Sequence, residues 1–305
     1  MTRSCQPPVA PMPVPPDWVP DGACDCHVHL FGPFDAFPLA DDRSYTPPAS
    51  PLPDLRATLA GMGFDRAVIV NATGYGFDNR ILEAALRADP KRLRGIAVLP
   101  PDHPVADLPR LHGLGVRGIR LNLFRRAGEN LYRGGAGLDT LRALGPAMAE
   151  MGWHAQVWVT TRDLAEVLPE LERFPGEVVI DHMGRVVPSA AAEDPGFALL
   201  CNLLREDRFH VKLCGWDRLS EAGGDFADSD PVARALVAAA PDKLVWGSDW
   251  PHVAYFDRAP PSEAALLAAL YRSTDNDEQR RRILVDNPAR LYGFDSQPHA
   301  REQAA

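Results

Sequence analysis

Eight short, apolar, β-branched runs alternate with eight segments of helical period along this chain, and no other feature of the sequence restricts its fold as strongly. The strand candidates are Cys24 to Phe31, Arg66 to Ala72, Arg94 to Leu99, Val116 to Phe124, Trp153 to Val159, Val178 to His182, His210 to Cys214 and Lys243 to Asp249. Helical segments start near Leu52, Asn79, Val105, Leu138, Arg162, Pro195, Pro231 and Ser262, and one more helix, about Asp275 to Leu291, closes the chain. Consecutive parallel strands need a crossover between them, so each strand and the helix after it read as one βα unit. Eight such units predict an α/β chain folded as a (β/α)8 TIM barrel, for which 305 residues is an ordinary length. An open doubly wound sheet is the competing architecture. It normally carries a glycine-rich phosphate turn after its first strand, where this chain has His27-Val28-His29.

The first 20 residues contain seven prolines, which remove backbone donors and fix φ, so this segment reads as an extended arm. The expected organisation is therefore an arm over residues 1–21, a barrel over 22–294 and a tail over 295–305. With 32 Lys+Arg against 41 Asp+Glu the net charge is −9, the wrong sign for attracting nucleic acid or an anionic membrane through the overall field. A small anionic substrate remains compatible, because it needs only a local arginine cluster. No apolar stretch approaches the roughly 18 residues of a spanning helix, and the N-terminus lacks an export signal, so a cytoplasmic location is expected. Five scattered cysteines fit a reducing compartment, and Cys24 and Cys26 read as small strand residues. Oligomeric state is left open.

A (β/α)8 barrel keeps its chemistry at the C-terminal ends of its strands, which gives a position test for each reactive side chain. In Asp25-Cys26-His27-Val28-His29, strict alternation puts Asp25, His27 and His29 on one face and Val28 and Leu30 on the other. Two imidazoles then converge at one strand end, where they can share a metal ion or polarise one substrate group. The sixth strand ends in His182, a third imidazole. The eighth runs from Leu244 into Ser248-Asp249-Trp250-Pro251-His252, so Asp249 stands at the barrel mouth as the candidate general base. A helix-capping role for Asp249 is weakened by Pro251 and by the distance to the next helix. On strand four, Arg120 and Asn122 lie opposite Ile119, Leu121 and Leu123, which points Arg120 into the barrel; Arg126 follows in the loop above, and Arg218 follows strand seven. Three guanidinium groups at one mouth are suited to hold carboxylates in bidentate fashion.

His27-x-His29, His182 and the closing Gly247-Ser248-Asp249-Trp250-Pro251-His252 resemble the amidohydrolase superfamily, in its amidohydrolase-related (amidohydrolase-2) branch. Asp41 to Pro47, Thr73 to Asn79, Arg117 to Asn122 and Asp286 to Gly293 extend the likeness, which is greatest to the 2-pyrone-4,6-dicarboxylate hydrolases and related lactonases. The resemblance implies a lactone hydrolase of aromatic catabolism. It matches Arg120, Arg126 and Arg218 to arginines that hold substrate carboxylates, and Tyr45 to a tyrosine near the ligand. Thr73, whose hydroxyl ends strand two, and His252 complete the expected substrate contacts. The superfamily's binuclear members bridge two metals with a carboxylated Lys on strand four and add a His at the end of strand five; here strand four offers Arg120, and His154 lies at the start of strand five. At most one divalent ion such as zinc would fit, on His27, His29, His182 and Asp249. The resembling hydrolases imply that no cofactor is required.

The mechanism expected on this basis has Asp249 activating water, with His27, His29 and His182 polarising the lactone carbonyl. The rival readings are a sugar-acid lactonase, a metal-dependent decarboxylase of an aromatic or muconate acid, and a barrel that binds a carboxylated ligand without turnover.

Overall fold

The computed structural model describes residues 2–15, 17–126, 128–130 and 135–295, and at Arg126 and Asn130 the backbone alone. Among the described residues, eight parallel strands follow one another around a single sheet in chain order: β1 (Cys24–Val28), β2 (Arg66–Val70), β3 (Leu93–Ala97), β4 (Val116–Asn122), β5 (His154–Trp158), β6 (Val178–Ile180), β7 (Phe209–Leu213) and β8 (Leu244–Trp246). The main crossover helices are α1 (Leu52–Met62), α2 (Arg80–Ala88), α3 (Leu108–Leu114), α4 (Leu138–Glu150), α5 (Thr161–Arg173), α6 (Pro195–Leu203), α7 (Asp230–Ala239) and α8 (Glu263–Ser273). This is the (β/α)8 barrel the alternation predicts. The strands are shorter than the apolar runs, because their last residues leave the ladder to form the loops of the mouth.

Closure of the barrel rests on the contact of β1 with the segment after β8. The amide of Asp249 donates to the His27 carbonyl at 2.9 Å, and the amide of His29 donates to the Trp250 carbonyl at 2.8 Å. Below them the Ser248 amide donates to Asp25 Oδ1 at 3.0 Å. The seam that closes the sheet is thus built from the same residues that carry the reactive side chains.

Outward-facing strand residues such as Ile69, Ile119, Leu121, Val157 and Leu213 pack against the helices. Inside, a smaller apolar cluster of Cys24, Cys26, Val68, Val70, Ile96, Val179 and Val245 meets Leu291, Tyr292 and Phe294 of the chain end. The single closing helix expected over Asp275 to Leu291 is instead two α-helical pieces, Asp277–Arg281 and Asn287–Tyr292, joined by a π-turn at Arg282–Asp286. Its burial explains the turn: Ile283 and Leu284 enter the core while Asn287 Nδ2 donates to the carbonyls of Leu244 and Pro241. Tyr292 lies edge-on to His154, 5.3 Å between ring centroids, at the face of the barrel opposite the mouth.

The proline-rich segment is extended and lies across the mouth. Arg3 and Cys5 pair with Thr46 in the loop after β1, and the amide of Gln6 donates to the Tyr255 carbonyl in the loop after β8. Prolines leave few donors to use, and the amides of Cys5 and Gln6, with the Arg3 carbonyl as an acceptor, tie two walls of the mouth together. Met1, Pro16 and residues 296–305 of the tail lie outside the described residues. Among the described residues no helix is long and apolar enough to cross a membrane.

Candidate active site

An irregularity in β1 sets the geometry of the site. Between Asp25 and Val28 the strand gains one residue relative to β2, a bulge that breaks the strict alternation expected from the sequence. Cys24 and Cys26 consequently join the interior cluster and Asp25 turns to Ser248, while His27 and His29 both reach the mouth, their rings edge-on at 5.0 Å. The carbonyl of Val70 accepts from His29 Nδ1 at 2.8 Å, which leaves the lone pair of the neutral ring on Nε2.

Beneath these rings lies Asp181, fully buried, with Oδ1 3.4 Å from His27 Nδ1. Its Oδ2 accepts from Arg120 Nε at 3.2 Å and from Gln156 Nε2 at 3.0 Å. Lys212 Nζ, also fully buried, lies 3.8 Å from Oδ1 and donates to Gln156 Oε1 and to the Cys26 carbonyl, each at 2.7 Å. Burial pushes the Asp181 carboxyl up, but the neighbouring His27, Lys212 and Arg120 reverse this and hold it far below the ordinary carboxylate range. Burial and the Lys212 charge in turn hold the His27 ring well below its ordinary value, so at neutral pH it is uncharged. An uncharged His27 with its proton on Nδ1, toward Asp181, turns its Nε2 lone pair to Asp249.

Asp249 completes the group. Its Oδ1 stands 3.4 Å from His29 Nε2 and 3.7 Å from His27 Nε2, and its Oδ2 accepts from Arg218 Nη2 at 3.0 Å. Burial raises the Asp249 carboxyl, but His182, the contact with His29, Arg218 and His27 together outweigh it and leave the group well below the carboxylate range. Burial also depresses the His182 ring, to about 4, so Arg218 is the standing cation beside Asp249 at neutral pH. Asp249 is not a helix cap: α8 is capped by Ser262, whose side chain accepts from the Ala265 amide.

Two Nε2 lone pairs and one carboxylate oxygen therefore converge. His27 Nε2 is buried and makes no hydrogen bond among the described residues, and such a set of acceptors requires either protons or a cation between them. One ligand atom each from His27, His29 and Asp249 lie within 4.8 Å of one another, a nitrogen and oxygen set suited to one divalent ion. His182 belongs to a different group, with its Nδ1 3.3 Å from Cys214 Sγ, so the four ligands expected from sequence separate into a set of three and a neighbour.

These groups face a cavity of about 160 Å³ whose lining includes His29, Tyr45, Thr73, Arg120, His182, Arg218 and Asp249. Those seven were expected from sequence. His252 does not line the cavity: its backbone sits at φ +62 and its buried ring lies against Glu263, Nε2 to Oε1 at 3.2 Å. Its adjacency to Asp249 in sequence reflects the turn after β8, which sends the two side chains apart. For Arg126 the backbone forms a short hairpin with Glu129, and its side chain lies outside the described residues.

Phe124, Trp158 and Arg185 also line the cavity and were not singled out from sequence. Trp158 was legible in principle, since alternation in β5 puts it on the face of Gln156. Arg185 was not. It reaches the cavity through a left-handed turn in which His182, Met183, Gly184 and Arg185 all have positive φ, between 51 and 64. For an L-residue this conformation costs about 1–2 kcal/mol, so three non-glycine residues among four consecutive positions mark an over-determined segment. At Gly184 a side chain would also press on Leu200 and Thr161, each 3.0 Å from a Cβ placed there.

Comparison with known proteins agrees with this architecture. Residues 24–294 match the amidohydrolase family. A 4-sulfomuconolactone hydrolase of Rhizobium radiobacter is 37% identical over 278 residues, covering 90% of this chain and 91% of the relative. A 2-pyrone-4,6-dicarboxylate hydrolase of Comamonas testosteroni is 34% identical over 283 residues, with 90% and 91% covered. Among solved structures, a 2-pyrone-4,6-dicarboxylic acid hydrolase of Pseudomonas putida superposes with a TM-score of 0.77 at 31% identity, over 92% of this chain and all of that one. From strand order, the convergence of His27, His29 and Asp249, and these matches over nine-tenths of its length, the chain belongs to the amidohydrolase family.

Proposed function

We propose that the protein hydrolyses a small lactone carrying at least two anionic groups, with 2-pyrone-4,6-dicarboxylate as the specific substrate. The observation that carries this reading is Asp249, held beside three imidazoles in a cavity whose walls bear Arg120, Arg185 and Arg218. The relatives at 34–37% identity are named as hydrolases of 4-sulfomuconolactone or of 2-pyrone-4,6-dicarboxylate, which supports hydrolysis of a cyclic ester over decarboxylation or binding alone. Tyr45, Phe124 and Trp158 give the cavity flat apolar surfaces, which suit a planar ring better than the hydroxyl-bearing ring of a sugar-acid lactone. A sulfonated muconolactone is the second reading, favoured by the 37% identity to the Rhizobium radiobacter enzyme.

In the proposed reaction Arg120 and Arg218 orient the substrate through its inner carboxylate, and Asp249 removes a proton from the attacking water. Arg218 is shared: its Nη2 holds Asp249 Oδ2, so a carboxylate that draws the guanidinium away makes Asp249 the stronger base. His182 lies 4.7 Å from His27 between ring centroids and, with its proton on the cavity side, donates to the oxyanion as it forms, while the acceptor nitrogens of His27 and His29 help hold the attacking water beside Asp249. Protonated Asp249 then returns its proton to the leaving enol oxygen. A divalent ion on His27, His29 and Asp249 would polarise the carbonyl and acidify water. None of the steps above requires one, and the proposal includes no obligatory cofactor, an intracellular site of action and no macromolecular partner.

The test is the loss of 2-pyrone-4,6-dicarboxylate ultraviolet absorbance with purified protein, with and without a strong chelator. Turnover in both arms is expected. Turnover only without chelator would overturn the cofactor-free mechanism. No turnover in either arm by folded protein, with a sulfonated muconolactone consumed instead, would transfer the assignment to the second reading.

A further inference from the structure

The turn that carries His182 has a second product. His182 to Arg185 form a left-handed turn, all four residues with positive φ, in which Met183 is buried. The strained backbone thus carries an imidazole at its start and a guanidinium at its end to one cavity. Both line the cavity. Arg185, half-buried, also lines the open groove that adjoins the cavity past Phe124, and its guanidinium carbon lies 5.6 Å from the centre of the Phe124 ring. It therefore stands at the outer edge, between the cavity and the groove.

Arg120 and Arg218 stand deeper in the cavity, beside acids of the protein. Asp181 accepts from Arg120, and Asp249 and Asp217 face Arg218 at 3.0 and 3.2 Å. An anionic group that points outward from a ring seated over Asp249 reaches the outer edge of the cavity, where Arg185 stands. We infer that Arg185 binds the outer anionic group of the substrate and sets the preference for doubly over singly charged rings. This deepens the lactone reading and rests on it for the identity of the ring, but it can be tested without turnover.

The probes are benzene-1,3-dicarboxylate and benzoate, which do not hydrolyse, with binding read by calorimetry or by tryptophan fluorescence from Trp158 in the cavity wall. The wild-type chain is expected to bind the dicarboxylate about 10- to 100-fold more tightly than benzoate, the range of a charge-assisted contact. Arg185→Gln should bring that ratio near one with the benzoate Kd unchanged, and Arg185→Lys should restore part of it. An unchanged ratio in Arg185→Gln would overturn the assignment, as would loss of the ratio in Arg126→Gln alone. Turnover of the pyrone is measured on the same samples. Absent turnover with the binding ratio intact and Arg185-dependent removes the substrate but leaves the outer anion site standing.

Discussion

Arg218 Nη2 and Asp249 Oδ2 are 3.0 Å apart, so one substrate-orienting cation and the general base of the proposed reaction form a single ion pair. The pair explains how a buried carboxyl stays ionised. Asp249 remains charged above its depressed folded value, and activity that needs the anion is lost only as pH falls through that value. Wild-type kcat/KM should therefore stay level down to about pH 4–5. Arg218→Met removes the standing cation, so its acid limb should move upward by about one pH unit, with KM raised. A pH-rate profile with an unmoved acid limb would refute the coupling.

Asp249→Asn keeps the shape of the group and removes the base. A general base contributes about 10²- to 10⁴-fold, so kcat should fall by that factor while binding of benzene-1,3-dicarboxylate is retained. Steady-state kinetics alongside calorimetry separates the two effects. Near-normal kcat would assign the base elsewhere.

Asp181 is an anion enclosed by His27, Arg120, Gln156 and Lys212 in the barrel interior. Asp181→Asn leaves Arg120 and Lys212 without their shared counter-charge, and removing one partner from a buried set of charges costs about 3–5 kcal/mol. Urea denaturation should show that loss near neutral pH. A variant within about 1 kcal/mol of wild type would mean that the charge of Asp181 is not what holds Lys212 in the interior.

Asp25 behaves in the opposite sense. Burial outweighs its hydrogen bonds from Ser248 and raises the carboxyl to about 6. An acid raised on folding binds its proton more tightly in the native state, so Asp25 adds no cost below about pH 4 and an increasing cost as pH rises through 6. Asp25→Asn keeps an acceptor for the amides of His27 and Ser248. Unfolding free energy should rise by roughly 2–3 kcal/mol at pH 8 and by little at pH 4. Equal effects at the two pH values would count against a titrating Asp25.

The sequence by itself determined the barrel and which side chains stand at its mouth. Strand patterns of period 2 and helical patterns of period 3.6 are local, and eight alternating units leave few ways to bury both faces of the strands. Position at strand ends then identified His27, His29, His182 and Asp249 without any distance being known. Tertiary structure decided which of these atoms meet. One extra residue in β1 redirected Asp25 and aimed both histidines at Asp249, and such a bulge shows only against the partner strand. Asp181 and Lys212 acquire their roles from His27, Arg120 and Gln156 on strands far off in the chain, and Arg185 reaches the cavity through a run of positive φ that sequence periodicity does not encode. Periodicity records which side of an element faces inward. Pairings across the barrel axis, and departures of the backbone from regular geometry, depend on neighbours distant in the chain.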